Sequence, residues 1–253
     1  MSFINSTVEN RVARIEISRP EKKNALTSEM YARLTEAFGA AARDPQVRVV
    51  LLHGSRECFT SGNDVSDFLQ RKPGESSPVF GLFQVLPAFE KPVVAAVAGP
   101  AVGIGTTLLL HCDLVYAASD ARFQLPFVPL GIVPEFGSTL LLPRLAGYQR
   151  AAELLLLGQP FTAQKALEAG IATAVVPKDS LFDEAGKAAT LLASLPPESL
   201  RLTKRLMKQG QAKELEAQIA EEGRLFVERL ASPEAKEAMT AFFERRKPDF
   251  SRF

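Results

Sequence analysis

The chain has 253 residues, 46% of them hydrophobic and 23% charged, with 30 Lys+Arg against 29 Asp+Glu for a formal net charge of +1. That is the composition of an ordinary globular protein, long enough to bury a large core in one domain or one domain plus an appendage without disulfide or metal staples. Near-neutrality leaves no global field to draw in nucleic acid or an anionic membrane, and two cysteines without C-x-x-C spacing plus two histidines make no zinc set.

In chain order, Met1–Glu9 lacks the basic start and apolar core of a secretory leader. Phe3–Val8 and Val12–Ile17 are expected to pair as strands about a turn at Glu9-Asn10, with Ala13, Ile15 and Ile17 on the inner face. Arg19-Pro20 ends the second strand. Thr27 is placed to cap a helix with the apolar stripe Met30, Leu34, Phe38 and Ala41, and Asp44-Pro45 stops it. Val47–Leu52 is apolar apart from Arg48, the pattern of a strand covered on both faces. A second cycle follows, with a loop over 55–63, a short helix from Asp64, a Pro-bounded stretch at 73–78, a Phe-rich helical segment and strand Val93–Ala98. A third has a Gly-rich turn, helix Thr106–Cys112 and strand Leu114–Ala118. Strand and helix in alternation predict an α/β fold with parallel connections. Pro92–Cys112 contains no Asp, Glu, Lys or Arg, but Gly99-Pro100, Gly103 and Gly105 break it, so it is expected to be buried strand, loop and helix and not a membrane span. Beyond about Thr162 the texture becomes helical. Pro196-Pro197 is a joint, and Leu200–Gly210, Leu215–Leu230 and Pro233–Arg246 are amphipathic helices whose charge runs are expected to be solvated faces.

No G-x-S-x-G elbow, Walker loop or H-E-x-x-H occurs, and the glycine cluster 99–105 is not a dinucleotide fingerprint. Two turns still draw interest, because each follows an apolar strand: Phe59-Thr60-Ser61-Gly62-Asn63-Asp64 and Ala98 through Gly105. In open parallel sheets ligands bind beyond the carboxyl ends of strands, where main-chain N–H groups can form an oxyanion hole. Read from the residues alone, the two turns are more often tight connections that bind nothing.

At these residues the chain resembles the crotonase (enoyl-CoA hydratase/isomerase) superfamily. The matching segments are 18–26, 59–64, 91–105, 112–113, 123–131, 137–139, 143–145, 169–172 and 242–250, in order over essentially the whole chain. The resemblance implies an α/β fold made of a spiral of ββα turns over 1–195 with a C-terminal helical oligomerisation region over 196–253. It also implies a homotrimer or hexamer, no cofactor beyond the coenzyme A carried by the substrate, and an acyl-CoA thioester as partner; the two free thiols, Cys58 and Cys112, suit a reducing cytoplasm. Position by position, the oxyanion donors would be the N–H groups of Asn63 and Ile104. Ser61, Gly62, Asn63, Asp64 and Val65 would line the thioester, and Ala25 would meet the adenine end, with Lys22 and Lys23 near the phosphates. The two glutamates of the family's hydratases are replaced by Thr107 and Phe127, neither of which is a general base. The acid that remains in the right loop is Glu135, matching the branch that shifts a 3-enoyl-CoA double bond to C2 with one glutamate. Its neighbours Phe127, Val128, Ile132, Val133 and Phe136 are expected to desolvate it. A different crotonase-type hydratase or lyase activity, and a non-catalytic acyl-CoA-binding role, are the alternatives.

Asp64 is expected to cap its helix and Asp113 to bind backbone at the next turn, while His111 and His53 are expected to pack structurally. Nothing near Cys58 lowers its thiol pKa, and Phe80, Phe83 and Phe89 would wall an acyl pocket or belong to the core.

Overall fold

The computed structural model describes residues 3–64, 66 and 77–253. Val65, most of the expected helix after Asp64, and residues 73–76 lie outside the described residues.

Strands β1 (Ile4–Glu9) and β2 (Val12–Ile17) form an antiparallel hairpin with Glu9 opposite Val12. The turn is Asn10-Arg11, one residue later than the sequence suggests. Both residues have positive φ, 49° and 67°, the twist a two-residue hairpin requires. Helix α1 (Ser28–Arg43) begins at the predicted cap, with the Thr27 hydroxyl accepting from Met30 N. Its stripe buries Met30, Leu34, Phe38 and Ala41, and Tyr31 with them.

From β2 the chain pairs in parallel through β3 (Val49–His53), β4 (Val93–Val97), β6 (Leu114–Ala118) and β9 (Ala174–Val176), giving one six-stranded sheet in the order β1-β2-β3-β4-β6-β9. All five residues of β4 are buried, as an unbroken apolar strand requires. A second, shorter ladder runs beside it, built from β5 (Pro100–Val102), β7 (Arg122–Gln124) and β8 (Phe161–Thr162). Single bridges Leu26–Asn63 and Thr60–Ala101 extend it back to the earlier turns. Successive turns of chain thus give a strand to the long sheet and then a short segment to the second ladder, which is the ββα spiral. Helix α2 (Val79–Val85) packs on α1.

The expected helix Thr106–Cys112 divides into α3 (Ile104–Thr107) and a tighter turn over Leu108–His111. After α4 (Ser138–Ala146), α5 (Tyr148–Leu157) and α6 (Ala163–Glu168), helix α7 (Leu181–Ser194) covers β3, β4 and β6, with Ala185, Ala189 and Ala193 on its buried face.

The last three helices are α8 (Pro197–Gln209), α9 (Ala212–Leu230) and α10 (Pro233–Phe243). Helix α8 starts three residues before the periodic pattern because Pro197 occupies its first turn, where a missing N–H costs nothing. Helix α10 ends at Phe243, shortly before Arg245 enters the left-handed region at φ 55°. These helices are not uniformly solvated on their charged faces: Lys204, Glu222 and Glu237 are buried, at 4%, 3% and 6% exposure. Lys204 Nζ donates to Asp113 Oδ2 and to Lys91 O, at 2.7 and 2.8 Å, and Asp113 Oδ2 also accepts from Val93 N at 2.7 Å. This ties α8 to the start of β4. Glu237 receives Arg246, Arg252 and the main-chain N–H of Asp249, folding the C-terminal segment back on α10. Its carboxyl is held down at about 2, first by the Arg246 hydrogen bond.

Candidate active site

The first glycine turn is built by accounting for its amides. Phe59 N donates to Ala98 O at 2.7 Å, Thr60 N to Pro100 O at 3.0 Å, Ser61 N to Lys23 O at 3.0 Å and Asp64 N to Leu26 O at 2.9 Å. Gly62 N donates to the Thr60 hydroxyl at 3.1 Å. The N–H of Asn63 has no acceptor among the described residues. Buried Asn24 holds the turn from behind, donating to Cys58 O and Phe59 O at 2.9 and 3.1 Å and accepting from Arg19 N at 2.7 Å. The buried Tyr31 hydroxyl donates to Asn63 Oδ1 and fixes that residue's orientation.

In the second turn, Val102 N donates to Thr60 O at 3.1 Å and Gly103 N to Gln124 O at 2.9 Å. Gly103 has φ 56° and ψ −118°, a backbone state open to glycine, and it launches α3. The N–H of Ile104, in the first turn of that helix, has no intrahelical partner and no other acceptor among the described residues. The two turns touch, since a Cβ on Gly62 would lie 2.8 Å from Val102 O. Asn63 and Ile104 both line a cavity of about 400 Å³, with Ser61, Gly62, Phe127 and Ile132. Phe226 of α9 and Met239 and Phe242 of α10 close it. The C-terminal helices therefore supply a wall of the cavity in their own chain.

Asp64 Oδ1 accepts from Ser66 N at 3.0 Å, the expected cap contact, while Oδ2 pairs with Arg19 Nη1 at 2.7 Å. Arg19 Nη1 also donates to Ala25 O at 3.0 Å, so one guanidinium joins the Ala25 segment to the first turn. Lys22 and Lys23 are exposed beside it. Thr107 is fully buried, and Phe127 is 4% exposed in the cavity wall.

Glu135 is 4% exposed. It does not line the cavity in this structure, although Phe127 and Ile132 on the same loop do. The loop is held on its far side. Phe136, at φ 62°, stacks between Phe83 and His111 with centroids 4.2 and 4.0 Å away. His111 Nε2 donates to Phe136 O at 2.8 Å, which sets the tautomer, and burial pushes its pKa down to about 3. It is a neutral packing residue, as expected. Gly137 N donates to Glu222 Oε2 at 2.6 Å, and Thr139 donates to Glu222 Oε1 through its N at 2.9 Å and through its hydroxyl. His53 Nδ1 bonds Gly54 O at 2.8 Å and the ring meets Phe182 edge-on. Burial raises the Cys58 thiol to about 11. Phe83 and Phe89 are buried.

Among the described residues no group of His, Cys, Asp and Glu is arranged to hold a metal ion, and no helix is long and apolar enough to cross a membrane. Tyr31, Asn24 and Glu222 were not foreseen from the sequence. Their partners are distant in the chain, and no local motif marks them.

Residues 7–252 match the enoyl-CoA hydratase/isomerase family. The chain is 34% identical to the 2,3-dehydroadipyl-CoA hydratase of Escherichia coli K12, over 99% of both proteins. It is 34% identical to human enoyl-CoA delta isomerase 2, over 95% of this chain and 63% of that protein. The crystal structure of an enoyl-CoA hydratase/isomerase from Pseudoalteromonas atlantica T6c superposes with a TM-score of 0.94 at 43% identity, covering 98% of this chain and all of that one. With the spiral, the two turns and these likenesses together, the chain belongs to the enoyl-CoA hydratase/isomerase family and has the crotonase fold.

Proposed function

We propose that this acyl-CoA-processing enzyme is a Δ3,Δ2-enoyl-CoA isomerase with Glu135 as its single acid/base. The observation that carries this reading is the distribution of buried carboxylates. Among the described residues these are Glu135, Glu222 and Glu237. Glu222 is committed to Gly137 and Thr139, and Glu237 to Arg246, Arg252 and Asp249 N. Glu135 alone stands on the loop that walls the cavity, while Thr107 and Phe127 occupy the places where the family's hydratases carry their glutamates.

Moving the double bond removes a proton from C2 and returns one to C4 through a dienolate. One carboxylate performs both transfers if it reaches over a flexible chain. This reading requires the Glu135 carboxylate, which stands on the loop that walls the cavity but outside its lining, to come within reach of C2 and C4. The Asn63 and Ile104 amides hold the thioester oxygen, an interaction worth about 3–4 kcal/mol per donor at the transition state. Ser61, Gly62 and Asp64 flank the thioester and Ala25 the nucleotide end, with coenzyme A arriving as part of the substrate and no further cofactor. Exposed Leu145, Tyr148, Leu156 and Leu157 on α4 and α5 supply apolar surface for assembly into a trimer or hexamer.

The test follows absorbance with 3-enoyl-CoA and 2-enoyl-CoA substrates in deuterated water, for the wild type and Glu135→Gln. Isomerisation with solvent deuterium incorporated, reduced about 10²- to 10⁴-fold in the variant, is the expected result. Hydration that survives in Glu135→Gln, or binding without turnover, would overturn it.

A further inference from the structure

A second cavity, of about 570 Å³, lies between α2 and the α8–α9 hairpin, with Phe80, Phe83, Leu215 and Ile219 among its walls. It abuts the Glu135 loop. Phe83 is the ring stacked on Phe136, and Leu215 Cδ1 lies 2.3 Å from where a Cβ on Gly137 would stand. Among the described residues one cation faces it. Lys208 lines the cavity, and its Nζ is buried with no hydrogen-bond acceptor among the described residues. Among the described residues the neighbouring charges do not balance it. Asp113, the nearby carboxylate, already accepts from Lys204 Nζ and Val93 N, leaving two ammonium groups to one anion. Burial and the Lys204 charge both lower the Lys208 pKa. Glu216 also lines the cavity but is exposed, and it makes no ion pair with Lys208.

A largely apolar cavity with a buried ammonium that lacks an acceptor among the described residues on its wall suits an apolar chain that ends in an anion, because burying an ammonium without an acceptor is costly and a carboxylate relieves that cost. We propose that this cavity takes the far end of the acyl chain and that Lys208 binds a carboxylate there, making ω-carboxyacyl-CoA thioesters the preferred substrate class. The inference rests on the acyl-CoA reading above but not on the isomerisation.

Calorimetry with saturated ligands tests it, because they bind without reacting. Adipoyl- to sebacoyl-CoA are compared with hexanoyl- to decanoyl-CoA on the full-length wild type, Lys208→Met, Lys208→Arg and Glu216→Gln. At the length that reaches Lys208, the dicarboxylic thioester binds about ten- to a hundredfold tighter than its monocarboxylic match. Lys208→Met abolishes that preference with monocarboxylic binding as tight as in the wild type or tighter, Lys208→Arg retains it, and Glu216→Gln preserves or raises it. Equal affinity for the two classes at every length, or equal weakening of both by Lys208→Met, would overturn the inference alone. Binding of neither class would overturn it together with the acyl-CoA reading.

Discussion

Glu222 is the residue on which the geometry of the Glu135 loop depends, and Glu222→Gln isolates that dependence. The carboxylate accepts from Gly137 N at 2.6 Å and from Thr139 N at 2.9 Å, and it also takes the Thr139 hydroxyl. Glutamine keeps the volume and one acceptor oxygen, but its NH₂ then faces the Gly137 or Thr139 N–H, donor against donor. A buried hydrogen bond to a charged group contributes about 1.5–3 kcal/mol, and a stranded buried donor costs about 1–3 kcal/mol. The replacement is therefore expected to destabilise the chain by about 2–4 kcal/mol. At roughly 2–4 °C per kcal/mol for a chain of this size, Tm falls by about 4–16 °C. The loop bearing Phe136 at φ 62° and Gly137 at φ 72° loses its tether in the same step, so kcat falls while the affinity for a saturated acyl-CoA changes little. Scanning calorimetry and steady-state kinetics on one preparation read both effects. A Tm within about 1 °C of wild type, with kcat unchanged, would show that the clamp neither stabilises the fold nor aims the loop.

Two further perturbations probe the site and its support. Gly62→Ala places a Cβ 2.8 Å from Val102 O at φ 91°, so it is expected to push the two turns apart, at a cost of about 1–3 kcal/mol in strain, and to weaken acyl-CoA binding measured by calorimetry. Unchanged affinity would argue against a shared oxyanion site. His111 has a pKa of about 3 in the fold against 6.5 for a free imidazole. Between those values the unfolded chain takes up a proton that the folded chain refuses, so stability is lost as pH falls from 6.5 towards 3, by an amount on the order of 4 kcal/mol. Urea denaturation across that range should show a slope that His111→Asn removes. An identical slope in both proteins would place the acid sensitivity elsewhere.

Much of the fold was legible because its signals are local. The Thr27 cap, the α1 stripe, the unbroken apolar run of β3 and β4, and Asp64 bonding the amide two residues on are all written within a few residues of where they act. The two glycine turns were legible for the same reason, and the structure brings them together on one cavity. What escaped the sequence spans long separations: Tyr31 to Asn63 across 32 residues, Arg19 to Asp64 across 45, Glu222 to Gly137 across 85 and Lys204 to Asp113 across 91. A spiral of parallel turns puts residues from successive cycles side by side, so a contact's partners carry no mark of one another. Asp113 shows the consequence. It was expected to bind backbone at the turn after it, and instead it accepts Val93 N, 20 residues earlier, together with Lys204.

The C-terminal helices make the point most sharply, because a charged helix face looks the same in sequence whether water or protein covers it. Lys204, Glu222 and Glu237 stand at ordinary amphipathic positions, yet each is buried and each holds a different piece of the molecule: the start of β4, the N-terminus of α4, and the returning C-terminal segment. A buried charge is tolerable only where hydrogen bonds satisfy it, so each fixes its helix at one height and one rotation against the core. Two of those helices, α9 and α10, also carry Phe226, Met239 and Phe242 into the cavity wall. The depth of this cavity is thus set by electrostatic pins far from the two glycine turns, and a substitution at Glu237, which meets neither turn, should alter the chain-length preference of acyl-CoA binding measured by calorimetry.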